Sequence, residues 1–224
     1  MAVRICPHVY QVGGGNLSHP DDCCVYLVES EKELALIDAG AGKGSERIIK
    51  NIKNCGFSPE GVKYILITHG HIDHIGGLKD LQAKTGALIL AHELEIDAIE
   101  NGNPVLTAAD WYGVKYQPVK VNQVIKKDSE TLTMNKIEFV FLHTPGHTPG
   151  SLSILCWCAG LKVIFGQDIH GPFNQEWGSD INKWRSSMQR LVNLDADILC
   201  EGHFGIYKPA TVVRKYIKSY LRRY

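Results

Sequence analysis

Short apolar runs alternate along the chain with stretches in which apolar residues recur every three or four positions. Cys24–Val28 and Leu34–Ile37 flank a charged turn from Glu29 to Glu33, which predicts a hairpin. Gly44 to Cys55 carries Ile48, Ile49 and Ile52 at helical spacing and stops at Gly56; Val62–Ile67 then reads as a buried strand. Leu78 to Lys84 predicts a short helix and Ala87–Leu90 the next strand. The second half has the same style. Lys136–Leu142, Leu152–Cys156, Val163–Phe165 and Ile198–Cys200 predict strands, and Asp180–Leu194 predicts a helix. From Pro209 to Tyr224 the positions Val212, Val213, Tyr216, Ile217, Tyr220 and Leu221 make an amphipathic terminal helix, whose Lys and Arg residues read as a solvated outer face.

Strands alternating with helices define an α/β protein, and no linker, charge block or repeat divides it, so one domain over residues 1–224 is expected. The 24 Lys and Arg balance 24 Asp and Glu, which leaves no global field to draw in a phosphate backbone; nucleic acid is not an expected partner. The longest uncharged apolar stretch, Ser151–Leu161, is far short of the roughly 20 residues that span a bilayer. The start Met1-Ala2-Val3-Arg4 lacks a secretory apolar core. These features predict a cytoplasmic protein with no membrane partner, acting on a small molecule and free to form homo-oligomers. Seven cysteines without a C-x-x-C pair cannot close as a disulfide framework and read as reduced core residues, Cys156 and Cys158 included.

The segment Thr68-His69-Gly70-His71-Ile72-Asp73-His74 directly follows the Val62–Ile67 strand. Residues 69 and 71, two apart in extended chain, point the same way, and the turn through Gly70 sends Asp73 and His74 elsewhere, so two neighbouring coordination sites result. Neutral imidazoles suit zinc, iron and other borderline metals, and a carboxylate helps to balance a dication. Other residues point less clearly. Gly40-Ala41-Gly42-Lys43-Gly44-Ser45 lacks the spacing of a phosphate loop. Gly13 to Asp22 reads as a flexible loop between the first strands, able to line a cleft. Trp111, Tyr112, Tyr116, Phe173 and Trp177 could wall an acyl pocket, although core packing is the commoner use of such rings. His143 and His170 are candidates for the cleft or for supporting roles; His8, His19 and His92 read as ordinary.

Thr68 to His74 resembles the signature of the metallo-β-lactamase superfamily, and further markers of that family follow in order over nearly the whole chain. Leu36-Ile37-Asp38-Ala39-Gly40 resembles its early acidic turn, Thr144 to Ser151 the loop supplying a third imidazole, Phe165-Gly166-Gln167-Asp168 the strand end with a bridging carboxylate, and Glu201-Gly202-His203 the turn that completes a second site. The resemblance implies a four-layer αββα sandwich. It also implies two divalent metal ions, zinc first with iron or manganese as alternatives: His69, His71 and His147 on one, Asp73, His74 and His203 on the other, Asp168 on both, and Asp38 orienting the site. Two such cations would lower the pKa of a bridging water towards neutrality, and Asp73 would take its proton. The implied activity is hydrolysis of a carboxylic ester, thioester or lactone through that hydroxide. The glyoxalase II branch is the nearest match, but its glutathione-binding elements are missing: Asp168-Ile169-His170-Gly171-Pro172-Phe173 replaces them, and only 21 residues follow His203. The alternatives are a mononuclear iron persulfide dioxygenase using His69 or His71, His147 and Asp168, and a phosphodiesterase or nuclease of the same superfamily.

Overall fold

The computed structural model describes residues 2–166 and 168–224; Met1 and Gln167, the latter within the Phe165–Asp168 run, lie outside the described residues. The first half contains β1 (Val3–Cys6), β2 (Val9–Gln11), β3 (Tyr26–Ser30), β4 (Glu33–Ile37), α1 (Ser45–Asn54), β5 (Val62–Leu66), α2 (Ile72–Ile75), α3 (Leu78–Thr85), β6 (Leu88–His92), α4 (Ile96–Asn101), α5 (Ala109–Tyr112) and β7 (Gln123–Ile125). The second half contains β8 (Ser129–Met134), β9 (Ile137–His143), β10 (Leu152–Cys158), β11 (Leu161–Phe165), α6 (Ile181–Leu194), β12 (Ile198–Cys200), β13 (Ile206–Tyr207) and α7 (Ala210–Leu221). Strands β1 to β7 form one sheet in chain order, antiparallel as far as β4 and parallel from β4 to β7. The other sheet has the order β13-β12-β11-β10-β9-β8, with β11 and β12 parallel and the other pairs antiparallel.

The two-residue period of each strand sorts its side chains into layers. Tyr26, Val28, Ile37 and Leu66 face the opposite sheet and meet Phe139, Phe141, Ile154, Cys156 and Phe165 there. Their neighbours Leu27, Leu36 and Ile65 face outward onto Ile48, Ile49 and Ile52 of α1 and Leu78 and Leu81 of α3. Leu155, Ile164 and Leu199 likewise pack on Trp184, Met188 and Leu191 of α6 and Val213 and Ile217 of α7. The layers are therefore α, β, β, α, as expected. Central strands buried on both faces have to be apolar throughout, which is why they stand out as unbroken runs. Six of the seven cysteines are buried and all are free, in keeping with the core reading. No helix among the described residues is long and apolar enough to cross a membrane.

Strand directions gather the loops that matter on one rim. β4, β5 and β6 run parallel, and in the other sheet β9, β11 and β12 point the same way because β9 and β11 both lie antiparallel to β10. Their C-terminal ends carry Asp38, Thr68–His74, Thr144–His147, Asp168 and Glu201–His203. Backbone bonds stitch the sheets together at this rim: Leu152 N donates to Thr68 O (2.7 Å) and Cys24 N to Gly202 O (2.7 Å), and the Tyr26 hydroxyl donates to Glu201 O (2.6 Å). The opposite rim holds tight hairpin turns with left-handed residues at Glu31, Lys32, Asn135 and Ala159.

Five strands, β1, β2, β7, β8 and β13, and the short helices α2, α4 and α5 lie where the apolar pattern assigns no element. The Gly13–Asp22 loop also departs from expectation. Asp22 is buried, its carboxylate accepts bonds from the Ser18 hydroxyl and from Ala41 N (2.8 Å), and none of these residues lines the cleft described below.

Gly146 has φ +144°, and a Cβ there would overlap the backbone of Trp184 at the start of α6. Gly86 has φ +72° with open space around it. Gly86→Ala should cost about 1 kcal/mol for its left-handed backbone, whereas Gly146→Ala should cost roughly 2–4 kcal/mol and lower Tm by about 5–15 °C. Thermal unfolding of the two variants checks this; equal losses would mean that the Gly146 turn yields freely.

Candidate metal centre

The β5 strand continues as extended chain through Thr68, whose N and Oγ1 both donate to the Asp38 carboxylate (2.8 Å each). That anchor delivers His69 and His71 to the rim, and His71 stands at the N-cap of α2. His71 Nδ1 lies 3.1 Å from His69 Nε2 and 3.0 Å from His147 Nε2, and all three rings are buried. Two nitrogens bound to one tetrahedral zinc stand about 3.3 Å apart, close to these separations. The Nδ1 proton of His147 is directed to Pro172 O (2.8 Å), so its Nε2 presents a lone pair to the group.

A second group adjoins the first. Asp73 Oδ2 is 3.0 Å from His203 Nε2, and His74 Nε2 is 3.3 Å from Asp168 Oδ1. His74 Nδ1 donates to Asp38 Oδ2 (2.8 Å), which aims its Nε2 inward. Asp168 Oδ2 lies between the groups, 3.3 Å from His203 Nε2 and 3.6 Å from His147 Nε2. The structure thus brings together all seven side chains singled out in the sequence, as His69, His71 and His147 on one side and Asp73, His74, Asp168 and His203 on the other. His74 Nε2 and Asp168 Oδ1 are buried without a hydrogen-bond partner among the described residues. Orphaned donor atoms of mixed nitrogen and oxygen type fit a pair of borderline divalent cations.

The two groups differ in protonation. Burial holds His69 well below its usual range; burial, with His147 beside it, takes His71 down to about 3, and burial takes His147 to about 4. In the second group burial opposes charge but is outweighed. The Asp168 and Asp73 carboxylates push His203 up to about 10, and the Cys23 sulfur with Asp73, Asp168 and Asp38 holds His74 well above its usual range. Burial would raise the two carboxyls in turn, yet His203 and His74 keep Asp168 well below the carboxylate range, and His74 and His203 keep Asp73 low. The first group is a set of neutral ligands. The second is a cage of ion pairs whose protons must leave before a cation enters.

Two further buried carboxylates hold the ligand loops. Glu95 Oε1 accepts from Thr148 Oγ1 and Gly150 N (2.7 Å each), and its Oε2 accepts from Gly70 N (2.8 Å). One side chain therefore clamps the His69–His71 turn to the His147 loop. Glu201 Oε2 accepts from His203 N (2.7 Å) and Phe204 N (2.8 Å), while Oε1 accepts from His170 Nδ1 (3.0 Å). The sequence reading quoted Glu201 without a role and passed over Glu95, which only its burial distinguishes from neighbouring Glu93.

A cleft of about 260 Å³ opens over both groups, lined by His71, Asp73, His147, Asp168 and His203 together with Ala108, Trp111, Tyr112, His170, Pro172, Trp177 and Phe204. Trp111, Tyr112 and Trp177 line the cleft; Trp111 is exposed there, whereas Trp177 is also buried and Tyr112, like Tyr116 and Phe173, also packs on the layers below. His170 joins the cleft. His143 does not: it stacks on buried His92 (4.1 Å, 13°) and is directed to Pro149 O. Phe204 had no signal beyond its place after His203.

Fold and donor groups are those of one family of metal-binding folds: the chain belongs to the metallo-beta-lactamase superfamily, whose family model matches residues 20–203. Among relatives, the Bacillus subtilis protein named "Probable metallo-hydrolase YqgX" is 32% identical over 148 residues, 64% of this chain and 65% of its own. A hydroxyacylglutathione hydrolase from Haemophilus influenzae is 28% identical over 133 residues, 59% of each chain. The chain spans about six-tenths of the length of these curated relatives. A metallo-beta-lactamase from Cronobacter sakazakii superposes with a TM-score of 0.85 over 100% of this chain and 94% of its own at 22% identity, a likeness of fold.

Two outcomes follow. Below pH 6.5 the unfolded chain binds protons that folded His69, His71 and His147 refuse, and above pH 6.5 folded His74 and His203 keep protons that the unfolded chain releases. Stability of chelator-treated protein therefore falls with acid and falls again with base. Its Tm should peak near pH 6.5; a steady rise from neutral to alkaline pH would contradict this charge pattern. Glu95→Gln would turn an amide towards Gly70 N–H and loosen the clamp. It should weaken zinc binding to the three-histidine group about 10- to 100-fold with the far-UV circular dichroism retained, and chelator competition reading an unaltered affinity would remove the role.

Proposed function

We propose that this chain is a dinuclear hydrolase of carboxylic esters, thioesters or lactones, with zinc as the first choice of metal. One observation carries the reading: two donor groups share the Asp168 carboxylate and open on the same cleft. His69, His71 and His147 would hold one ion, Asp73, His74 and His203 the other, and Asp168 both. Bound there, the ions would acidify a shared water and polarise a carbonyl oxygen. Asp73 is held as a carboxylate and lines the cleft, so its free oxygen accepts the proton of the attacking water. Tyr112 keeps its phenol proton, raised by burial and by the charge of Asp73, and offers the cleft a neutral donor.

The hydroxyacylglutathione hydrolase among the relatives supports acyl transfer to water as the reaction. A mononuclear iron dioxygenase would make no use of Asp73, His74 and His203, which lie together beside the first group. A phosphodiesterase would meet no Lys or Arg among the described cleft residues. Chelated protein reconstituted with zinc, manganese or ferrous iron, then assayed on thioesters, lactones, bis-p-nitrophenyl phosphate and glutathione persulfide, separates the three. Full acyl hydrolysis at two equivalents of metal is expected; full activity at one equivalent of iron with oxygen uptake overturns the proposal. Asp73→Asn should lower kcat about 10²- to 10⁴-fold without unfolding the metal-free protein.

A further inference from the structure

Each donor group is prolonged towards solvent by a row of packed rings. From the first group, His71 contacts Trp177 (4.5 Å between centroids), which contacts Trp111 (4.7 Å). From the second, His203 contacts His170 (5.3 Å), which contacts Phe204 (4.6 Å). Both rows end in large rings that the fold leaves uncovered: Trp111 is 65% exposed and Phe204 59%. Exposed aromatic surface at the mouth of a cleft is costly unless something covers it.

The rows are also held in place. Ile72 N, inside the ligand segment, donates to Thr107 O (2.7 Å), which fixes the segment bearing Trp111 to the metal centre. Ala108 beside it takes a left-handed backbone, φ +52°, which an L-residue adopts only under constraint. The backbone of Phe204 is fixed by its N–H, which donates to Glu201 Oε2 (2.8 Å).

The cleft is poor in positive charge. Among the described cleft residues outside the donor set there is no Lys or Arg, the ionisable side chains are Tyr112 and His170, and His170 directs its Nδ1 to Glu201 Oε1. A remote carboxylate, sulfonate or phosphate on a substrate would enter an aromatic slot and lose its water without gaining a partner. A cavity of about 150 Å³ accommodates benzene, so a cleft of about 260 Å³ has room for a ring and its acyl group.

We propose that the cleft selects neutral acyl compounds bearing a flat aromatic group, gripped by Trp111 and Trp177 from the first metal group and by Phe204 from the second. The selection rests on the hydrolase reading above, and its binding limb can be tested without it. The probes are S-ethyl phenylthioacetate, its ring para-sulfonate and S-ethyl thioacetate, with phenylacetamide and its para-sulfonate as ligands that are not turned over. The zinc-loaded full chain should favour the neutral phenyl thioester over the sulfonate by about 30-fold or more in kcat/KM. Trp111→Ala and Phe204→Ala should each lower the phenylacetyl-to-acetyl ratio about 5- to 30-fold, mainly through KM, with Trp111→Phe restoring most of it. Calorimetric titration should show phenylacetamide binding and the sulfonate not binding. Equal handling of the neutral and sulfonated probes, or a ratio that ignores Trp111, overturns the selection. If neither thioesters nor the corresponding esters and lactones are hydrolysed, the hydrolase reading falls, and the amide titrations alone then decide whether the slot binds neutral aryl groups.

Discussion

Seven polar side chains from four strand ends converge in a space that water hardly reaches, and their mutual repulsion and desolvation must be balanced within the protein. Three buried carboxylates outside the ligand set do this positioning. Asp38 holds Thr68 and His74, Glu95 joins the His69–His71 turn to the His147 loop, and Glu201 fixes His203 and Phe204. Asp38 accepts from both ends of the Thr68–His74 segment, and Glu95 and Glu201 each accept from separate loops, so the ligand geometry is set by hydrogen bonds of fixed length more than by the reach of flexible side chains. The fold supplies the strand ends; the carboxylates set their spacing.

The division between neutral and charged donor groups follows from where the carboxylates lie. The three imidazoles of the first group lie against one another and against aromatic rings, where losing a proton is the cheapest response to burial. The second group contains both carboxylates of the set, so its imidazoles keep their protons. Cations entering the two groups therefore meet different tasks: filling a neutral site in one, displacing bound protons in the other.

Much of this was legible in the sequence. β3 with β4, β5, β10 and β11 stand out because burial on both faces demands unbroken apolar runs, and α1 and α6 because one stripe of each faces a sheet. β8 did not stand out: in Ser129–Met134 only Met134 is fully buried, so an edge strand there reads as polar chain. His69 to His74 is dense enough to argue from spacing alone, but Asp168 and His203 are single residues after strands and became visible only through the order of family markers. Glu95 had no such marker. Glu93 two residues earlier is exposed, and nothing local distinguishes them, because the donors that bury Glu95 come from residues 70, 148 and 150. Trp111 was misjudged for a related reason: it belongs to a segment placed by a backbone bond to Ile72, not by its own pattern.

At the rim away from the metals the hairpins of the two sheets meet each other, as where Asn135 Nδ2 and Lys136 N of one both donate to Ser30 of the other. Because nothing catalytic depends on those turns, their length and composition are free to drift, and a fused domain or inserted peptide can be carried there while the working end stays as it is.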